Sequence, residues 1–439
     1  MDHLGSSPFG WIRFDEHANL KVPVEVEHLK DALAQAGVTD LVVLSHGWQT
    51  DRRGAKQLYS RLWANVSTAL RGSGRDPAKV IVAGVLWPSK PYNANYDGGA
   101  ALVGPAAVGG GALSVEAPGQ PSRLSADGFQ AVLDDTRALL GSNADPLLTA
   151  ARTAVADAGS AYEFFEAALS GFALNWDSGD PELRQEAGFF ASAQTREGAQ
   201  ALLSAYSRPL QLPLAPGVGW AQGLGGILNG ALQGVENGVA WILNELSYFA
   251  MKRRAGLVGN TLGSKTLELL AMPPGIRLHL VGHSFGGRLV TAAVNALPAT
   301  GPKAQSLTLL QGAYSHNGMT AGKGPYSAVP GQVVGPIVVT HTRNDFACTV
   351  AYPLASRLSG ETTLGLGDKN DPFGAMGANG PQLPASFLAP DVADDNFAPV
   401  AGKVNRFLAD NYIMKTAETD AHNNVYNPTC GKLVAAAIR

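Results

Sequence analysis

The sequence predicts an α/β fold, in which a mainly parallel β-sheet is flanked by helices and interrupted by a large, mostly helical insertion. Short apolar segments such as 41–44 and 80–87 alternate with segments of helical periodicity such as 54–71, which is typical of right-handed β-α-β crossovers. The residues 277–290 read as a strand, a sharp turn and a helix. The alternation breaks after Trp87, and this break indicates the insertion.

The core elements are predicted in chain order from their apolar periodicity. Alternating patterns predict early strands at 10–14 and 22–26, followed by a helix over 27–36 that ends near Gly37. Further strands are expected at 41–44, 80–87, the apolar run from Arg277, 306–310, 336–340 and 403–408. Further helices are expected over 54–71 and 251–271, and from about residue 430.

The insertion is predicted from composition and from its length. The residues 91–125 are rich in Gly, Ala, Pro and Asn without a sustained period, so we expect a long loop. Helical patterns then occupy 127–141, 145–173 and 183–206. Because this is too much chain for one crossover, we expect a catalytic core formed by 1–90 and 251–439. The residues 91–250 would form an inserted helical cap or lid.

The insertion also contains glycines at four-residue spacing, at Gly226, Gly230, Gly234 and Gly238. Glycine destabilises a helix interior by up to ~1 kcal/mol relative to alanine, so this pattern needs close packing to compensate. One interpretation is packing against a neighbouring helix or the sheet. The other is an interfacial lid helix within 217–246 that contacts lipid transiently, with Trp220 and Trp241 at the boundary.

Composition limits the classes of function. The chain has 439 residues, a formal charge of −3 and 45% apolar residues, which gives no reason to expect a nucleic-acid partner. The N-terminal residues show no basic segment followed by an apolar one, so no secretory signal is visible. Nor does an uncharged apolar run of spanning length occur. We expect a soluble, cytoplasmic protein, although a processed secreted form would look the same.

The motif Gly282-His283-Ser284-Phe285-Gly286 places a serine at the apex of the predicted strand-turn-helix. A hydroxyl at this position projects beyond the sheet, and the helix behind it presents its positive end and free N–H groups. Glycines are needed at 282 and 286 because side chains would collide across so tight a turn. We therefore predict that Ser284 is a nucleophile.

The stretch from Val281 to Gly287 resembles the nucleophile elbow of the α/β-hydrolase superfamily, in particular of its lipase and esterase branches. The resemblance covers the segments near 40–90 and 255–439. It implies the chain order serine, acid, histidine, and His283 then occupies a position that the family often fills with histidine.

The acid and the base are predicted from this order and from their positions after strands. Asp345 follows the apolar strand at 336–340, and His422 follows the last strand, so we expect the triad Ser284, Asp345, His422. His316 is expected to be a pocket-wall or structural residue, and His341 a polar residue at a strand end. The alternatives to Asp345 as the acid of the triad are Asp368, Asp371, Asp391, Asp394, Asp395 and Asp410.

An oxyanion needs preorganised N–H donors. The first is expected at the backbone of Phe285, where the elbow helix begins. His46-Gly47-Trp48, after the strand at 41–44, resembles the histidine-glycine oxyanion loop of the superfamily. This resemblance implies that the Trp48 N–H is the second donor.

The predicted activity is hydrolysis of a carboxylic ester, on a small-molecule or lipid substrate, without a metal or organic cofactor. A serine peptidase or an acyltransferase would use the same triad, and a non-catalytic binding protein on the same fold is the alternative of a different class. Cys348 and Cys430 each follow a predicted catalytic residue. They are either bridged to each other or both reduced.

Overall fold

The computed structural model describes residues 1–89, 126–172, 191, 193–207, 234–351, 369–371, 373–390 and 397–438. The predicted loop at 91–125 lies outside these residues, as do Trp220, Gly226 and Gly230 of the glycine pattern. The chain divides into two compact units. The first contains Met1–Ser89, Lys252–Tyr352 and Gly367–Arg439, and the second contains Lys90–Met251 and Pro353–Leu366.

The strands, all in the first unit, are β1 Asp2–Leu4, β2 Ser7–Arg13, β3 Asp40–Ser45, β4 Val80–Leu86, β5 Arg277–His283, β6 Ala304–Leu310, β7 Ile337–His341 and β8 Val404–Leu408. The α-helices of four or more residues are α1 Pro23–Leu33, α2 Arg52–Gly72, α3 Ala126–Leu140, α4 Asp145–Ala156, α5 Ala161–Gly171, α6 Arg196–Tyr206, α7 Val235–Thr261, α8 Phe285–Asn295, α9 Val329–Gln332, α10 Met376–Asn379 and α11 Pro428–Ala437. Short helical turns lie at Pro77–Lys79, Gly141–Ala144, Ala158–Ser160, Leu262–Thr266, Leu267–Leu269 and Ala347–Ala351.

The strands form one eight-stranded sheet in the order β1-β2-β4-β3-β5-β6-β7-β8. β1 pairs antiparallel to β2, and the other neighbouring strands pair in parallel. The α/β class with a mainly parallel sheet is therefore confirmed. β1 was not predicted, because three residues are too few to show a period.

The strand order changes direction between β3 and β5: the chain goes from β3 to β4 on one side of the sheet, and from β5 to β6 on the other. The loops that leave the carboxyl ends of β3 and β5 therefore diverge and leave a crevice between them, and ligands of open α/β sheets bind in such a crevice. The loop after β3 begins at His46, and the turn after β5 contains Ser284. The topology thus places the two predicted oxyanion donors next to each other.

The helices α2 and α11 pack on each other and on the sheet. Trp63 and Val66 of α2 and Val434 of α11 are buried in one apolar cluster with Val42 and Val82 of the sheet. The four-residue repeat at Leu58, Leu62, Val66 and Leu70 explains this packing, because its last three members are buried. Asp51 caps the start of α2 by accepting the Gly54 N–H at 2.7 Å, which fixes where the loop after β3 ends.

One prediction on the early chain is wrong, whereas the helical pattern predicted over 145–173 is confirmed. The residues 22–26 were expected as a strand, but α1 already begins at Pro23, whose fixed φ suits the first helical position. Val26, Leu29 and Leu33 are buried at helical spacing. The pattern over 145–173 contains two helices, because Asp157 accepts the Gly159 N–H at 2.9 Å and turns the chain between α4 and α5.

The second unit contains α3 to α6 and the first part of α7. Gly234 is not on a helical face as predicted: it has φ +118° and precedes α7. Gly238 lies within α7, and a Cβ there would be 2.5 Å from Ser207 Oγ, which agrees with the interpretation of close packing. Trp241 is buried beside Tyr206, with ring centroids 5.7 Å apart. None of the described helices is both long and apolar enough to cross a membrane.

Candidate active site

Ser284 lies at the apex of a strained turn between β5 and α8. Its φ of 58° and ψ of −126° are unusual for a residue with a side chain, and such conformations destabilise by about 1–3 kcal/mol unless the surroundings hold them. Here the Ser284 N–H donates to Leu310 O at 3.1 Å, and Ser284 O accepts the Ala313 N–H at 3.2 Å. The last residue of β6 and the segment that follows it therefore fix the turn on both sides of the serine.

The glycines of the motif are required by close backbone approaches. A Cβ at Gly282 would lie 2.2 Å from Gly286 O, across the turn. A Cβ at Gly286 would lie 2.3 Å from Ser45 O, at the end of β3. Because both distances are far below van der Waals contact, the turn could not form with side chains at these positions.

The imidazole of His422 lies against the serine. His422 Nε2 is 2.9 Å from Ser284 Oγ, although the two residues are 138 positions apart in the chain. His422 lies between β8 and α11, in a turn where Asp420 accepts hydrogen bonds at 2.9 Å from the backbone and the side chain of Asn423. The side chain of His422 is 11% exposed, so its ring is nearly enclosed.

Asp345 completes the arrangement on the other side of the ring. Its Oδ2 is 2.7 Å from His422 Nδ1, and it is fully buried. The Cys348 N–H donates to Oδ1 at 3.0 Å, and Gln311 Nε2 donates to Oδ2 at 2.9 Å. These bonds fix the carboxylate, and the carboxylate fixes the proton of His422 on Nδ1, which leaves Nε2 as the acceptor for the serine hydroxyl.

The contact between Asp345 and His422 lowers the pKa of the carboxyl and raises the pKa of the imidazole. Burial alone would raise the pKa of the Asp345 carboxyl, but His422 and the donors Cys348 and Gln311 hold it below its ordinary value. Burial alone would lower the pKa of the His422 imidazole, but Asp345 raises it above the ordinary 6.5. The arrangement thus stabilises an imidazolium, the form that a general base reaches after it takes a proton.

His283 supports the loop that carries His422. Its Nε2–H donates to the His422 carbonyl at 2.9 Å, and the ring centroids are 4.9 Å apart. Burial and then the charge of His422 lower the pKa of His283 to about 3, so its ring is neutral. The sequence indicated only that His283 occupies a position where the family often has histidine, and it did not predict this contact.

Gln311, which directly follows β6, was not predicted as a site residue. The same reasoning that selected Asp345, a polar residue after an apolar strand, would have placed Gln311 at the carboxyl edge. The contact from the Cys348 backbone had no sequence signal, because any residue except proline could provide that N–H.

The predicted oxyanion loop lies beside the serine. A Cβ at Gly47 would be 2.6 Å from Ser284 Cβ and 3.0 Å from its Oγ, so the loop after β3 packs directly on the elbow. The rings of Trp48 and Phe285 have centroids 6.0 Å apart. The structure thus brings together the two residues whose N–H groups were predicted as donors.

His46 lies in the core rather than in the crevice. Its ring stacks on Trp87 with centroids 5.6 Å apart, and Nδ1 is 2.9 Å from Gly47 O. Burial lowers the pKa of His46 to about 4, so the ring is neutral. His46 therefore shapes the loop that presents Gly47 to the serine.

The other described candidates take part in different contacts. His316 is buried with Nδ1 3.4 Å from Asn379 Nδ2, and His341 ends β7. Asp410 accepts a hydrogen bond from Thr342, and Asp371 accepts the Phe373 N–H at 3.0 Å. Asp368, Asp391, Asp394 and Asp395 lie outside the described residues.

The two cysteines are free thiols and both are buried, so the bridged alternative does not hold. Asp345, Cys348 and His422 each offer one atom of a type that binds metal ions, within 4.8 Å of one another. Burial and then Asp345 raise the pKa of the Cys348 thiol well above 9, and a metal binds the thiolate rather than the thiol. The hydrogen bond between Asp345 and His422 accounts for this cluster without an ion.

Comparisons of the chain with family models, curated proteins and solved structures find no match.

Proposed function

We propose that the protein is a serine hydrolase that cleaves carboxylic esters, with an α/β-hydrolase core and a helical cap formed by the inserted segment. The single observation that carries this proposal is the continuous contact from Asp345 Oδ2 through His422 to Ser284 Oγ, at 2.7 and 2.9 Å. A serine held at positive φ beside a loop that lacks a side chain at position 47 is the second support. A turn with only a structural role would not require the contact with His422 and Asp345, the positive φ and the absent side chain at position 47 together.

The proposed reaction proceeds through an acyl-enzyme. Ser284 Oγ attacks the ester carbonyl while His422 Nε2 takes the hydroxyl proton, and the carbonyl oxygen becomes an oxyanion. The backbone N–H groups of Phe285 and Trp48 donate to that oxyanion. His422 then returns the proton to the leaving alkoxide, which departs as the alcohol.

Water completes the cycle in the second half-reaction. His422 removes a proton from water as the water oxygen attacks the acyl carbonyl, and the same proton then returns to Ser284 Oγ as the carboxylic acid leaves. Throughout, Asp345 remains ionised and stabilises the imidazolium. An amine or alcohol acceptor in place of water would make the protein an acyltransferase.

A fluorophosphonate probe tests the proposal directly. We expect the full-length protein to be labelled at Ser284, as read by mass spectrometry of the proteolysed adduct, because only an activated hydroxyl displaces fluoride at a useful rate. The same protein should hydrolyse p-nitrophenyl esters, and a panel of acyl chain lengths, with and without an emulsion, measures the substrate class. Labelling at another residue, or the absence of both labelling and turnover, would contradict the proposal and favour a non-catalytic binding protein.

The pH dependence of kcat/KM should reflect the raised pKa of His422. The neutral imidazole is the base, so activity falls as pH drops through this pKa, by about tenfold per pH unit. Because Asp345 raises the pKa of His422, the acid limb should lie above pH 6.5. Asp420 acts in the same direction. An acid limb at or below pH 6.5, measured with a short, soluble ester, would contradict the stabilisation of the His422 imidazolium by Asp345.

A further inference from the structure

The first unit carries a second concave site, which contains none of the residues of the triad. It has a volume of about 620 Å³ and is lined by residues of β1, β2 and α2: Asp2, Trp11, Arg52, Arg53, Lys56, Gln57, Ser60 and Arg61. We call it the α2 cleft. Its size is within the range of sites for small organic ligands and well above that of a simple ion.

The helix α2 presents two rows of hydrogen-bond donors to the cleft. Arg52, Lys56 and Ser60 are spaced four residues apart, as are Arg53, Gln57 and Arg61, and such residues lie above one another on a helix. Arg52 and Lys56 are like charges at this spacing, and such a pair destabilises a helix by a few tenths of a kcal/mol. Charge is therefore concentrated on this face at the expense of local helix stability.

The positive charge of the cleft is poorly balanced. Four cations face one carboxylate, in a chain whose formal charge is −3. Lys56 Nζ lies 3.1 Å from Asp2 Oδ2, and Asp2 is itself 69% exposed at its side chain. Within the described part of the chain, Arg52, Arg53 and Arg61 make no ion pair with a carboxylate.

Aromatic rings hold three of these cations in place. Lys56 Nζ lies 3.8 Å from the centroid of the Phe9 ring, and Arg52 Cζ lies 5.8 Å from that of Trp11. Such contacts orient a cation and reduce the entropy it loses when a ligand binds. Arg61 is positioned in the same way over Tyr426, at 5.8 Å.

We propose that the α2 cleft binds a phosphate-bearing small molecule with at least two negative charges. Arginine binds phosphate oxygens through two parallel N–H bonds, whereas a single carboxylate ligand would leave most of the four cations uncompensated. The ligand's phosphate lies between Arg52 and Arg53, with Lys56 and Arg61 as further donors. A soluble organic phosphate and a lipid phosphate headgroup share this chemistry. The proposal is independent of the esterase proposal, since the cleft and the triad have no residue in common.

The test measures binding of inorganic pyrophosphate by titration calorimetry, at an ionic strength of about 0.05 M, where screening is weak. A parallel arm measures sedimentation with phosphatidylcholine vesicles that contain phosphatidic acid. We expect wild-type protein to bind at least one probe, and the double variant Arg52→Gln, Arg53→Gln to bind it at least about tenfold more weakly. Binding of pyrophosphate alone identifies a soluble ligand, and binding of vesicles alone identifies a lipid headgroup.

A matched control carries the same change of charge elsewhere. Lys79 and Lys303 are exposed and precede β4 and β6 directly, so they lie at the amino ends of the strands, whereas α2 begins beyond the carboxyl end of β3. The variant Lys79→Gln, Lys303→Gln should bind as the wild type does. Equal melting temperatures establish that both double variants are folded. Equal weakening in both, no weakening in the arginine variant, or binding of neither probe by the wild type would overturn the proposal.

Discussion

Replacing Ser284 by alanine is expected to lower the turnover of a p-nitrophenyl ester by about 10⁴- to 10⁶-fold, since the variant has no atom that can form the acyl-enzyme. The folded state should be little affected, because the backbone bonds of residue 284 to Leu310 and Ala313 do not involve the hydroxyl. Measured kcat at saturating ester, together with thermal melting, separates the two effects. Fluorophosphonate labelling should be lost in parallel.

Ser264→Ala is the matched control for this variant. Ser264 is exposed, and its hydroxyl donates only to Asn260 O, at 2.7 Å, within its own helical segment. Its removal should leave kcat within about twofold. If Ser284→Ala kept more than a hundredth of the wild-type rate, the reaction would have to use another nucleophile, and the proposed chemistry would be wrong.

Asp345→Asn is expected to lower kcat by about 10⁴-fold, the size of effect known for loss of the orienting carboxylate in a triad. The substitution keeps the shape but replaces an oxygen by an NH₂ group. That group would donate to His422 Nδ1, and the imidazole would then carry its proton on Nε2, the atom that must accept from Ser284. The acid limb of any residual activity should also move to lower pH, because the charge that raises the pKa of His422 is gone.

Asp410→Asn is the control for the loss of a carboxylate near the site. Asp410 accepts a hydrogen bond from Thr342, in the same loop that carries Asp345, whereas the carboxylate that contacts His422 in the described part of the chain is that of Asp345. We expect the kcat of Asp410→Asn to stay within about threefold of wild type at temperatures below its melting transition. Comparable losses in both variants would mean that the loop after β7, rather than the carboxylate at 345, is what the site requires.

The elements that the sequence predicted well are those with a strong local signal. The turn at Ser284 is specified by glycines whose side chains would collide with Gly286 O and Ser45 O. The central strands β3 and β4 contain the continuous apolar runs 41–44 and 80–86, since both faces of such a strand are covered. Asp345 and His422 were found because polar residues after parallel strands gather at one edge of the sheet.

The features that were predicted wrongly or not at all lack a strong local signal in the sequence. The alternation Val22-Pro23-Val24-Glu25-Val26 fits a strand as well as it fits the first turn of α1, and only burial of Val26 with Leu29 decides between them. Gln311 and His283 hold the acid and the base through contacts between distant parts of the chain. The cationic α2 cleft was not predicted either, because Asp2 of β1 and Trp11 of β2, which close it, precede α2 by about forty to fifty positions.

If the proposed mechanism holds, the order of the site residues along the chain determines when Ser284 gains its base during synthesis. Ser284 leaves the ribosome long before His422, and the strand that precedes His422 pairs at the far edge of the sheet. Domains generally begin to fold from the N-terminal side as the chain emerges. In the proposed mechanism the hydroxyl therefore stays inert on a nascent chain until the segment that carries His422 has been made and has folded. An unfinished product would carry the nucleophile without the ability to use it.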